Sequence, residues 1–94
     1  MKYPAGTFTN SGPWLAKQME MAGLTHAALA RSLDVHFQNV SNWTRGVAKV
    51  PPKYVRAICK RLTDNQFDAK ILELALVEQI INDERDRILN HITD

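Results

Sequence analysis

Ninety-four residues, 45% of them apolar, suffice for one domain with a core and exclude a second independent fold. The formal net charge of +2 hides a division: residues 1–62 carry nine Lys or Arg against Glu20 and Asp34, whereas residues 63–94 carry three against eight acidic residues, so the parts stand at +7 and −5. A basic front excludes little, but joined to an acidic rear it suits a nucleic-acid surface attached to a part that faces protein or water.

In chain order, residues 1–11 (MKYPAGTFTNS) mix Pro, Gly, Thr and Asn without periodicity and read as a flexible or loosely docked arm. Ser11 can cap a helix that has Pro13 in its first turn and runs from about Gly12 to Ala22, with Leu15, Met19 and Ala22 inward and Gly23 closing it. Trp14 can pack on the core or cover a later helix. Thr25 caps a second helix to Leu33. Leu24 and Leu29 can staple across that cap, and Leu29, Ala30 and Leu33 share its apolar face. A tight turn at Asp34 leads to a segment from about His36 to Arg45 whose inward residues are Val40 and Trp43. Its other face carries Phe37, Gln38, Ser41, Asn42 and Arg45, and Gly46 closes it. A helix with two apolar anchors and an amide-rich face adds little to a core. It is well furnished to touch base edges, because amides pair bidentately with adenine and arginine with guanine.

Pro51-Pro52 suits the start of a fourth helix to Leu62, with Val55, Ile58, Cys59 and Leu62 at i, i+3, i+4, i+7. Cys59 is the one cysteine, so no disulfide closes within the chain, and it reads as a buried thiol. Thr63 and Gln66 have the spacing of a capping box, with Leu62 and Phe67 as its staple. From there to Ile92 the chain is helical in character and lacks Gly and Pro, although Asn82-Asp83 could start a fresh helix, leaving one helix or two. Phe67, Ile71, Leu74, Ile81, Ile88 and Ile92 form one stripe, and Leu72, Leu76 and Ile80 a second. Two stripes exceed what a small globule needs, so Ile71, Leu74, Ile81 and Ile88 are assigned to dimerisation with a second copy.

The run LTHAALARSLDV–HFQNVSNWTRG, residues 24–46, resembles the helix-turn-helix of the phage repressor/Cro-type family. Leu24, Thr25, Leu29, Ala30, Val35, Val40, Ser41, Trp43 and Gly46 match its pattern. The sequence departs from that pattern at Asp34, where a turn glycine is usual, at His36, where Ser or Thr caps the second helix, and at Phe37, where a polar contact residue is common. The resemblance covers roughly residues 12–62 and implies an all-α, lambda-repressor-like globule of about four helices. The acidic residues 63–94 would add a helical dimerisation extension, for five or six helices in all. It further implies DNA contacts from His26, Phe37, Gln38, Asn39, Ser41, Asn42, Arg45 and Lys49. His26 can donate to a phosphate or be plain surface. Phe37 can meet a thymine methyl, or fold back on His26 or the core.

Catalysis is not expected. His26, His36 and His91 lack metal-ligand spacing and cysteine partners, so no metal or other cofactor is expected. Asp83, Glu84 and Asp86 alternate with Arg85 and Arg87, which reads as a solvated, ion-paired face. No signal-peptide pattern and no apolar run near ~18 residues is present, so a cytoplasmic protein without membrane attachment is expected. The expectation is a homodimeric transcriptional regulator, in its simplest form a repressor on a palindromic operator of double-stranded DNA. The rival is an antitoxin-like protein-interaction module whose C-terminal helices bind another protein.

Overall fold

The computed structural model describes residues 8–93, with side chains as far as Asn90. The described chain is all-helical: α1 (Ser11–Ala22), α2 (His26–Leu33), α3 (Phe37–Thr44), a single 3₁₀ turn (Pro52–Tyr54) running into α4 (Val55–Leu62), and α5 (Gln66–Thr93). No helix among the described residues is long and apolar enough to cross a membrane.

Local chemistry sets most boundaries. Gly23 takes φ 67° and ends α1, its N–H bonding the Glu20 carbonyl at 3.1 Å. Thr25 caps α2 as expected, its hydroxyl accepting the Ala28 N–H at 3.1 Å. Asp34 occupies the left-handed region, φ 56°, doing in the turn what a glycine would do at less strain. His36 caps α3 with Nδ1, which accepts the Gln38 N–H at 3.1 Å, so imidazole replaces the usual hydroxyl. The Thr63–Gln66 capping box does not form. Asn65 caps α5 instead, its Oδ1 accepting from the N–H groups of Phe67 at 2.8 Å and Asp68 at 3.1 Å. The Leu62–Phe67 staple is absent too, with Phe67 74% exposed.

The core joins Leu15 and Met19 of α1, Leu29 and Ala30 of α2, Val40 and Trp43 of α3, Ile58 and Cys59 of α4, and Leu76 and Ile80 of α5. Ala22, expected inward, is exposed, while Trp14 packs against the core at its margin. α5 is one helix rather than two, and it packs on α4 and α1. Burying Leu76 and Ile80 contributes roughly 1.5–3 kcal/mol each to that docking.

Two corrections concern the start of the chain. Residues 1–7 of the expected arm lie outside the described residues, but Phe8 is buried and its N–H bonds the Gly46 carbonyl at 3.0 Å. Ser11 does not cap α1. Its hydroxyl, buried, donates to Asp83 of α5, whose carboxylate also accepts the Asn10 N–H at 2.7 Å and the Ser11 N–H at 3.1 Å. Asp83, expected on a solvated face, is thus the buried cap of a helix 72 residues earlier in the chain. The negative carboxylate also meets the positive end of the α1 dipole. Asn10 Nδ2 adds a bond to Asp86 at 2.9 Å.

Candidate nucleic-acid interface

α2, the Asp34 turn and α3 form a helix-turn-helix. Val40 and Trp43 anchor α3, fully and almost fully buried, and Trp43 meets the Tyr54 ring with centroids 5.8 Å apart. Behind its C-terminal end stands Gly12. A Cβ there would lie 2.9 Å from the Trp43 carbonyl oxygen and 3.0 Å from Gly46 backbone atoms, so only glycine lets α1 approach so closely.

The opposite face of α3 is polar and linked within itself. Asn42 Oδ1 accepts from Gln38 Nε2 at 3.1 Å and from Arg45 Nη2 at 2.9 Å. Gln38, Asn42 and Arg45 stand at i, i+4 and i+7, so the bonds align them along two turns. The amide hydrogens of Asn42 have no partner among the described residues. Two amides and a guanidinium thus present hydrogen-bond donors and acceptors on one ridge. Phe37 and Asn39 are exposed beside it, and Ser41 is half-buried with its carbonyl accepting from Thr44 Oγ1 at 3.0 Å.

His26, at the first position of α2, packs against both ends of α3. Its ring lies 5.9 Å from the Phe37 ring at a 52° tilt, and Nε2 stands 3.4 Å from Thr44 Oγ1. Phe37 folds back on His26 while staying 50% exposed.

Lys49 is set apart from that ridge. It lies in the loop after α3, 3.5 Å from Glu84 of α5, and Glu84 also binds Arg87. The Arg87 hydrogen bond, with a smaller effect from Lys49, holds the Glu84 carboxyl below its ordinary range. Lys49 thus already has a carboxylate partner, with 43% of its side chain exposed. Ile71, Leu74, Ile81 and Ile88 all lie exposed along α5. Sequence reasoning missed three residues that position the interface: Asp83, Phe8 and Gly12. The one local hint was an α1 first turn with no acidic residue to meet its dipole.

Residues 15–72, more than half of the chain, match the family model described as bacterial toxin YdaS. Comparison with curated proteins and with solved structures gives no significant match.

Proposed function

The chain belongs to the YdaS family, and on that premise we propose that it is a sequence-specific DNA-binding regulator acting as a homodimer. The observation that carries this reading is the ridge of Gln38, Asn42 and Arg45, bonded to one another and facing away from the core. α3 enters the major groove, and Gln38 and Asn42 read base edges. Arg45 and Lys49 meet phosphates, and two copies bind an inverted repeat with half-site centres about one turn, roughly 10 bp, apart. The resemblance to phage repressors supports repression by occupying promoter sequence.

Selection from random duplex DNA tests the reading, run with the parent and with Gln38→Ala and Asn42→Ala. Enrichment of an inverted repeat is expected from the parent. Each variant should lose about 1–3 kcal/mol per half-site and relax preference at one or two base pairs. Asn42→Ala should be the worse, since it removes the acceptor that orients both neighbours. No enrichment over input would sink the proposal.

A second reading is favoured by the word toxin in the family's description and by the exposed apolar face of α5. In it, the chain is a toxin–antitoxin component that acts through a protein partner. Induced expression in bacteria separates the two. Growth arrest abolished by Asn42→Ala belongs to DNA binding, and arrest that survives this change but not Leu74→Glu belongs to the α5 surface.

A further inference from the structure

The face of α5 that the globule leaves bare repeats every seven residues. Phe67, Leu74, Ile81 and Ile88 hold one position of the repeat, and Ile71, Glu78 and Arg85 hold the position four residues after Phe67, Leu74 and Ile81. All of these residues are exposed. A seven-residue apolar repeat is the period at which two helices wind around each other, and here one of the two seam positions keeps it from Phe67 to Ile88. This seam contains two polar interruptions, Glu78 and Arg85. Among the described residues neither makes an ion pair within its own chain, whereas Glu84 and Arg87 nearby pair with each other.

We propose that this face is covered by the α5 of a second copy running antiparallel, with the two-fold axis close to Ile81. The inference rests on the homodimer reading above and adds its geometry. Charge decides the direction. In a parallel pair, identical positions meet, so Glu78 would face the partner's Glu78 and Arg85 the partner's Arg85. In an antiparallel pair, residues equally far on either side of the axis meet. Glu78 lies three residues before Ile81 and Arg85 four after it, so an axis between Ile81 and Asn82 stands equally far from both and brings each Glu78 beside the partner's Arg85. Across the same axis Leu74 meets Leu89, and both are exposed. The parallel arrangement opposes like charges twice, and such juxtapositions inside an interface are strongly unfavourable. The polar pair costs some affinity and in return specifies direction and register, as single polar residues do in helical seams. Antiparallel packing also sets the two helix dipoles head to tail.

Sedimentation equilibrium on the full chain tests this with four forms: the parent, Glu78→Arg, Arg85→Glu, and the double exchange. Both side chains are exposed, so each form keeps the monomer fold, which circular dichroism verifies. In the antiparallel dimer each single reversal places like charges together twice, and the dimer should weaken about 10- to 100-fold. The double exchange recreates both pairs with their signs inverted and should return to within about 3-fold of the parent. A parallel dimer has two like-charge contacts in all four forms. Four equal dissociation constants, or single losses that the double exchange does not rescue, would overturn the antiparallel assignment and leave the homodimer standing. A parent that stays monomeric at every concentration overturns this inference and the homodimer together, while the DNA selection still decides base reading separately.

Discussion

Replacing Asp83 with alanine should be the most costly single change on α5, and its size follows from the bonds it breaks. The carboxylate is 3% exposed and accepts from the Asn10 N–H, the Ser11 N–H and the Ser11 hydroxyl. Hydrogen bonds to a charged group contribute about 1.5–3 kcal/mol, and each buried polar group left without a partner costs about 1–3 kcal/mol. Loss of a side-chain cap alone costs about 0.5–2 kcal/mol. These overlap, because the same donors are counted in each, so the net loss should be about 3–5 kcal/mol. A chain of this length has a total stability of about 5–14 kcal/mol, so the variant should approach the threshold of folding. Asp83→Asn keeps one acceptor oxygen and loses the charge, and should fall between parent and alanine. Urea titration followed by circular dichroism, at one fixed protein concentration, measures both. Thermal midpoints should drop by at least about 12 °C for the alanine variant. An Asp83→Ala protein within about 0.5 kcal/mol of the parent, the range of ordinary surface substitutions, would refute the capping role.

Gly12→Ala should cost about 1–3 kcal/mol despite alanine's better helix propensity, because the new methyl meets α3 backbone that cannot turn aside; urea midpoints measure it, and a gain in stability would contradict the close approach. Burial, then nearby Glu73, pushes the Cys59 thiol up to about 12 from an ordinary 9.0. A raised value favours the neutral thiol in the fold, so its stabilising share is full below pH 9 and lost as pH climbs toward 12. Native protein should therefore resist a disulfide reagent at pH 8 and react only as denaturant opens the core, which absorbance of the released thiolate follows. Lys49→Ala should weaken all DNA sequences alike and reduce the salt slope by about 1 per protomer. Glu84→Gln, which frees Lys49 from its carboxylate, should do the opposite in affinity; fluorescence anisotropy across a salt series reads both.

What the sequence disclosed is what acts over short range. The Thr25 cap, the left-handed Asp34 and the two α3 anchors each depend on neighbours within a turn or two of helix. The apolar periodicity of α5 was equally plain: Leu76 and Ile80 are buried and Phe67, Ile71, Leu74, Ile81 and Ile88 bare, while the Ile92 side chain lies outside the described residues. Asp83 was hidden because its neighbours are charges of alternating sign, which looks like a solvated surface until a partner 72 residues away is known. Ser11 was misassigned for the related reason that a serine in a first turn usually serves its own helix. Phe8 stood in a turn-rich segment with no periodicity to announce it. At the interface, the residue types on α3 were legible, but their mutual bonding was not, since it depends on rotamers. The Lys49–Glu84 contact again joins residues far apart in the chain.

The division of charge between the globule and α5 also governs how the molecule moves before it touches anything. The particle measures 44 × 27 × 21 Å, with α5 laid against α4 and α1. Seven net positive charges in one part of the chain and five negative in the other make a permanent dipole. A polyanion attracts one end and repels the other, so it exerts a torque as well as a pull. At low ionic strength that torque acts over about a Debye length, 30 Å at 0.01 M salt, comparable with the particle itself. The acidic helix then works as a rudder. On the DNA-binding reading proposed above, it shrinks the set of orientations in which a collision is wasted.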